Sequence, residues 1–268
     1  MKRTMVLALV MCGLVVGSAQ AGMVWDRTQA SLGDGTFLVN GSSTFWSDAD
    51  VWVMERPITY RSPLIRSTPL VKPDDFDVSD ASRYHLAAEI TPHRDWLQKL
   101  SVSNDAVWIS VNERGSMPDV DTNSGLYAIM IYNVGDDDIA LRTNEQDGSF
   151  IPIRANVDLY FTADNFLGGN GMAALYFNGD AVTEDDNGLW GNFETAAVQL
   201  FRNQYELHFY VDLQPGENWL YLDATSFYGP AGVIFAGNMS FSYVGVPEPM
   251  SMSLLAVGAM GMLIRRKR

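Results

Sequence analysis

Apolar and polar residues alternate with a period of two along most of this chain. In Tyr205-Glu206-Leu207-His208-Phe209-Tyr210-Val211-Asp212-Leu213 the odd positions are apolar or aromatic and the even ones mostly polar. Such a segment puts one face of a strand in a core and the other in water. Comparable stretches, rich in aromatic and β-branched residues, occur at 51–54, 84–90, 106–111, 126–134, 139–142, 150–161, 173–177, 196–201, 219–224 and 232–244. Turn residues separate them, as in Gly135-Asp136-Asp137, Asp147-Gly148, Asn178-Gly179, Pro215-Gly216 and Tyr228-Gly229-Pro230. Short strands at this spacing predict an all-β protein, an antiparallel β-sandwich or jelly roll. One short helix is expected at 91–100, with Thr91 as N-cap and Pro92 at the first helical position.

The two ends break this pattern. Residues 1–21 open with Lys2 and Arg3, continue through an apolar run and close on Ala19-Gln20-Ala21. A small-x-small site after such a run is a secretory signal peptide, read by signal peptidase. Cys12 follows Met11, not the small residue a lipoprotein site requires, and it is the chain's one cysteine. Residues 22–245, the exported domain, therefore carry no disulfide or thiolate metal site.

The C-terminal segment, 246–268, places Pro247-Glu248-Pro249 before an apolar run at 250–264 and then Arg265-Arg266-Lys267-Arg268. A helix over that run rises about 22 Å, short of the roughly 30 Å hydrocarbon core, so it predicts a marginal C-terminal transmembrane helix. The terminal cations would remain on the cytoplasmic side. Pro-Glu-Pro, a short apolar helix and a basic tail together resemble the PEP-CTERM sorting signal of Gram-negative bacteria. The resemblance covers about the last 23 residues. It implies recognition by an exosortase, transient anchoring in the inner membrane, and release to the cell surface or the extracellular matrix. A plain C-terminal anchor has the same physical appearance.

Charge narrows the partners. The chain has 32 acidic residues against 18 Lys and Arg, a net of −14. Removing both ends takes six cations and one acid, Glu248, so 22–245 carries 12 cations against 31 acids, a net of −19. That balance opposes nucleic acid and other anionic partners and favours solubility and divalent cations. Residues 56–80 differ: Pro57, Pro63, Pro69 and Pro73 alternate with Arg56, Arg61, Arg66 and Lys72. This reads as a surface strap, either simply solvated or lying on an acidic surface.

Candidate chemistry is sparse. Asp119, Asp121 and Asn123 alternate as oxygen ligands at the start of a calcium loop would. Gly125 stands one place late and Met130 occupies the position of the closing glutamate, so a calcium site and a hydrated loop both remain open. The acidic turns 136–138 and 184–187 carry the same two readings. His85 and His208 fall on the wet side of their strands and read as solvated residues. The chain contains no His-Glu-x-x-His, Gly-x-Ser-x-Gly or Gly-Lys-Ser/Thr motif, and Gly169-Asn170-Gly171 leads into a strand where a phosphate loop needs a helix. No catalytic residue and no small-molecule cofactor is assigned.

Of seven tryptophans, Trp25, Trp46, Trp52, Trp96, Trp108, Trp190 and Trp219, most are expected in the core. Trp190, beside Gly188 and Gly191, is the one placed to stack on a sugar. The expected role is a non-enzymatic surface or matrix protein. The alternatives are a carbohydrate-binding module acting on exopolysaccharide and a secreted glycan-active enzyme.

Overall fold

The computed structural model describes residues 15–16, 23–32, 35–55, 76, 78–113, 125–144, 146–164, 166–167, 174–182, 200–225 and 232–245. Among them strands dominate and all pairings are antiparallel. In chain order the strands are β1 (Val15–Val16), β2 (Met23–Ser31), β3 (Phe37–Trp46), β4 (Trp52–Glu55), β5 (Tyr84–Leu86), β6 (Ala88–Glu89), β7 (Ile109–Ser110) and β8 (Gly125–Val134). Helix α1 (Asp136–Arg142) follows. Then come β9 (Ile153–Asp164), β10 (Phe166–Leu167), β11 (Leu175–Phe177), β12 (Asp180–Ala181), β13 (Tyr205–Leu213), β14 (Gly216–Thr225) and β15 (Gly232–Gly245).

The first sheet runs β1-β2-β3-β15-β9-β13, and β7 with β6 continues the row of β3 along the start of β15. The second runs β12-β11-β14-β8-β4-β5, with β10 also on β14. The inner faces share one core, in which Phe45, Leu159, Phe161 and Phe241 of the first sheet meet Tyr127, Ile129, Ile131 and Leu222 of the second. Ser43 Oγ donates to the Ile131 carbonyl at 2.5 Å, a hydrogen bond between the sheets inside that core.

Strand β13 matches its expected bounds, because its inward positions are all apolar. Strands β2 and β3 lie where the alternation predicted nothing. The inward positions of β3 include Gly41 and Ser43, so burial there leaves no hydrophobic signature. Gly41 is required by packing: a Cβ at that position would lie 2.2 Å from the Phe241 ring. The Asn178-Gly179 turn forms as expected, with both residues at positive φ between β11 and β12.

Two local expectations are corrected. Residues 91–100 form turns, not a helix. Their backbone groups find tertiary partners: the Leu97 amide donates to the Phe201 carbonyl at 2.6 Å, and the Leu97 carbonyl accepts from Trp108 Nε1 at 2.7 Å. That exchange lets Trp96 and Leu100 bury against Trp108, Ile234 and Ala236. The helix instead occupies 136–142, read from sequence as a turn and a short strand. Asp136, Asp137 and Asp138 fill its first turn and Arg142 its last, each favourable to the helix dipole. Of the expected strand at 196–201, only its end is described, and Leu200–Arg202 is a 3-10 turn.

The C-terminal segment lies outside the described residues. No helix among the described residues is long and apolar enough to cross a membrane. Strand β1 falls inside the segment read as a signal peptide, and its two residues pair with Arg27 and Asp26.

Candidate functional site

The most structured polar centre forms where β2 meets the β8–α1 junction, at one lateral mouth between the sheets. On β2 the inward positions are Met23, Trp25, Arg27 and Gln29, so the pleat carries an arginine into the interior. Arg27 is 8% exposed and Asp138 2%. Arg27 Nε donates to Asp138 Oδ1 at 2.8 Å, and the Tyr243 hydroxyl donates to the same oxygen at 2.6 Å. Arg27 Nη1 reaches Gln29 Oε1 at 3.2 Å. Arg142 lies over the Tyr243 ring, 5.2 Å from its centroid.

Burial works against the Arg27 charge, but the hydrogen bond and field of Asp138 outweigh it and raise the guanidinium pKa. Burial, followed by the bond to Asp138, pushes the Tyr243 phenol up as well. The Arg27 guanidinium and the Tyr243 phenol thus keep their protons through the physiological range. Arg27 Nη2 and the Tyr132 hydroxyl are closed off from solvent and have no hydrogen-bond partner among the described residues.

Above this pair opens a cleft of about 340 Å³. Trp25 forms one wall, and its ring meets Tyr132 edge-on, with centroids 5.5 Å apart and planes at 76°. Asn133, Gly135 and the exposed Asp136 and Asp137 form the rim. Sequence reasoning did not single out Arg27 or Tyr243; it read Asp138 within the acidic turn 136–138, as a hydrated turn or an ion site, and Trp25 among tryptophans expected mostly in the core. The available signal was an arginine in phase with Met23 and Trp25, but its partner lies 111 residues away.

A second polar cluster sits on the outer face of the first sheet. His208 Nδ1 is 2.5 Å from Asp158 Oδ1 and Nε2 is 3.0 Å from Glu206 Oε1. The bond to Asp158 is the main cause that raises the His208 pKa. With both ring nitrogens facing carboxylates the ring is suited to the imidazolium form, which has no lone pair for a metal or a substrate proton. A hydrogen bond to Glu206 and burial hold the neighbouring Tyr160 phenol up at about 12. On the same face Asp164 is buried, and desolvation raises its carboxyl to about 7.

Of the residues singled out from sequence, the acidic turn 136–138 stands at this cleft, while most of the others lie outside the described residues. Ala19 and Ala21, read as the end of a signal peptide, Pro247, Glu248, Pro249, Arg265, Arg266, Lys267 and Arg268, read as a sorting signal, the calcium candidates Asp119, Asp121 and Asn123, and Trp190 all lie outside the described residues. Among the described residues no three His, Cys, Asp or Glu side chains converge as metal ligands. Trp108 is 1% exposed, in the core as expected. His85 is exposed, and its Nδ1 contacts the Leu86 carbonyl. No protein-family model and no curated protein matches this chain.

Proposed function

We propose that this chain is an exported, non-enzymatic cell-surface or extracellular-matrix protein of a Gram-negative bacterium. Its body is a β-sandwich held between a cleaved signal peptide and a C-terminal sorting signal of the PEP-CTERM kind. The observation that carries this reading is the paired ends: a signal peptide over 1–21, and Pro247-Glu248-Pro249 before a short apolar run and four cations. The run at 250–264 inserts as a transient inner-membrane helix, and an exosortase then cuts beside the Pro-Glu-Pro motif. An acidic body that needs no disulfide suits a soluble, exposed destination. Intact mass spectrometry of the protein recovered from its producing cells tests this. Loss of the segment after about residue 249 is expected, and full-length Arg265–Arg268 ends on mature membrane protein would overturn it.

The second reading, a carbohydrate-binding module, draws support from the Trp25 cleft. A flat indole beside amide and carboxylate groups is suited to a sugar ring, which offers C–H faces and hydroxyl edges. Binding calcium through Asp119, Asp121 and Asn123 would add a folding-linked cation. A thermal midpoint that rises with millimolar calcium supports that addition, and an unchanged midpoint removes it.

A further inference from the structure

The Trp25 cleft combines features that restrict what can occupy it, and the inference below rests on the carbohydrate-binding reading. Its volume, about 340 Å³, lies at the lower end of the range for small-molecule sites, about 300–1,000 Å³. That suits one compact ring rather than an extended cofactor.

The walls specify the chemistry. Trp25 is only partly buried and is braced by Tyr132, so it offers an apolar surface already fixed in place. The Asp136 and Asp137 carboxylates are exposed and enter no ion pair or side-chain hydrogen bond among the described residues. They provide acceptors for donors at the mouth. Below them Arg27 is nine-tenths buried and bonded to Asp138, and its Nη2 is closed off from solvent, so it forms a fixed, charge-balanced part of the lining and not a free donor.

A ligand that answers these walls must donate hydrogen bonds at the rim and lay a C–H face on the indole. Anions fail at the mouth, where Asp136 and Asp137 stand while the one guanidinium is already neutralised by Asp138. A simple cation would pair with the carboxylates but leave the indole wall uncovered. Hydroxyls both donate and accept, and a pyranose ring carries them around an apolar face.

We propose that this cleft binds a single neutral sugar residue of a glycan. Trp25 is the stacking wall, and Asp136, Asp137 and Asn133 hold the hydroxyls at the rim.

Gly135 provides a test that spares the fold. It lines the cleft at a negative φ of −82°, and a Cβ built there meets nothing within 4 Å, so Gly135→Leu projects side chain into open space. The full chain would be titrated with maltohexaose, cellohexaose and mannohexaose, with oligogalacturonate and spermidine as charged controls. Tryptophan fluorescence and calorimetry are the readouts, and each variant is checked by its thermal melt. At least one neutral oligosaccharide should bind. Trp25→Ala and Gly135→Leu should each weaken it by about tenfold or more, the scale of a lost aromatic stacking contact, while Trp25→Phe retains part of the affinity. If Trp25→Ala unfolds, Gly135→Leu and Asn133→Ala carry the test. Neutral-sugar binding that survives Gly135→Leu overturns this cleft and leaves the carbohydrate-binding reading standing at another surface. No binding of any neutral oligosaccharide by the folded chain overturns both, as does binding of a charged control alone.

Discussion

The outer faces of the two sheets are built from opposite chemistry. On the first, registered rows such as Asp26–Ser42–Ser240–Asn156–Tyr210 run across five strands and are exposed. On the second, the row Trp52–Ala128–Tyr221–Tyr176 is aromatic or small and largely buried. Strand β8 is buried at every residue but Asn133, as expected for a strand covered on both faces. The cover includes Phe76, which packs on Tyr176 and Tyr221 at 5.2 and 4.9 Å and accepts the Tyr221 hydroxyl at its carbonyl, 2.6 Å away. Val78 joins it. The segment read from sequence as a solvated strap thus ends as a lid on an apolar face. One sheet face is consequently structural, and most of the other is left for solvent.

The comparison breaks first at Tyr221. Tyr221→Ala removes a buried aromatic and its hydrogen bond, and should cost about 3–5 kcal/mol in denaturant unfolding. A loss below about 1 kcal/mol would mean that the second sheet's cover contributes little packing.

Asp164 sharpens the comparison within the first sheet, whose outer face is dry at one end. It pairs with Gly232, where an added Cβ would meet Ile90 and Trp108. Its folded pKa of about 7 exceeds the ordinary aspartate value of 3.8, so the native state binds the extra proton between those values. Stability should therefore fall as pH rises from about 4 to 7. Asp164→Asn should remove that slope, a difference on the order of 4 kcal/mol at pH 8. Parallel melting curves for the two proteins across pH 4–8 would contradict it.

At the wet end, His208 reverses the sign. Its folded pKa is raised, so its contribution is present in full below the unfolded value of about 6.5 and is lost as pH rises through the folded one. With about a third of each side chain exposed, the contribution should stay under about 1 kcal/mol. The gap between wild type and His208→Gln should close on going alkaline, and a gap that widens would refute the ion-pair account. Ser240→Ala, in the middle of the polar rows, should shift stability by no more than about 0.5 kcal/mol. A larger loss would show that this face is not simply solvated.

Legibility followed the same division. Tyr205–Leu213 was readable because its inward positions are apolar and its outward ones mostly polar. Phe37–Trp46 was not, because inward Gly41 and Ser43 owe their burial to Phe241 and Ile131, residues remote in sequence. Thr91-Pro92 carried a sound local helix signal that lost to tertiary hydrogen bonds from Leu97. The candidate site was the least legible part. An inward arginine is meaningful only with its carboxylate, and nothing between residues 27 and 138 marks the two as partners.

The sequence by itself determined the strand-rich class, the turn at Asn178-Gly179 and the chemistry of the two ends, because each rests on neighbours within a few residues: period-two alternation, left-handed φ, an apolar run flanked by cations. Tertiary structure alone decided which sheet face is covered, where the helix forms and where Trp25, Arg27 and Asp138 meet. Those outcomes depend on contacts across a hundred or more residues, where packing and desolvation outweigh local preference.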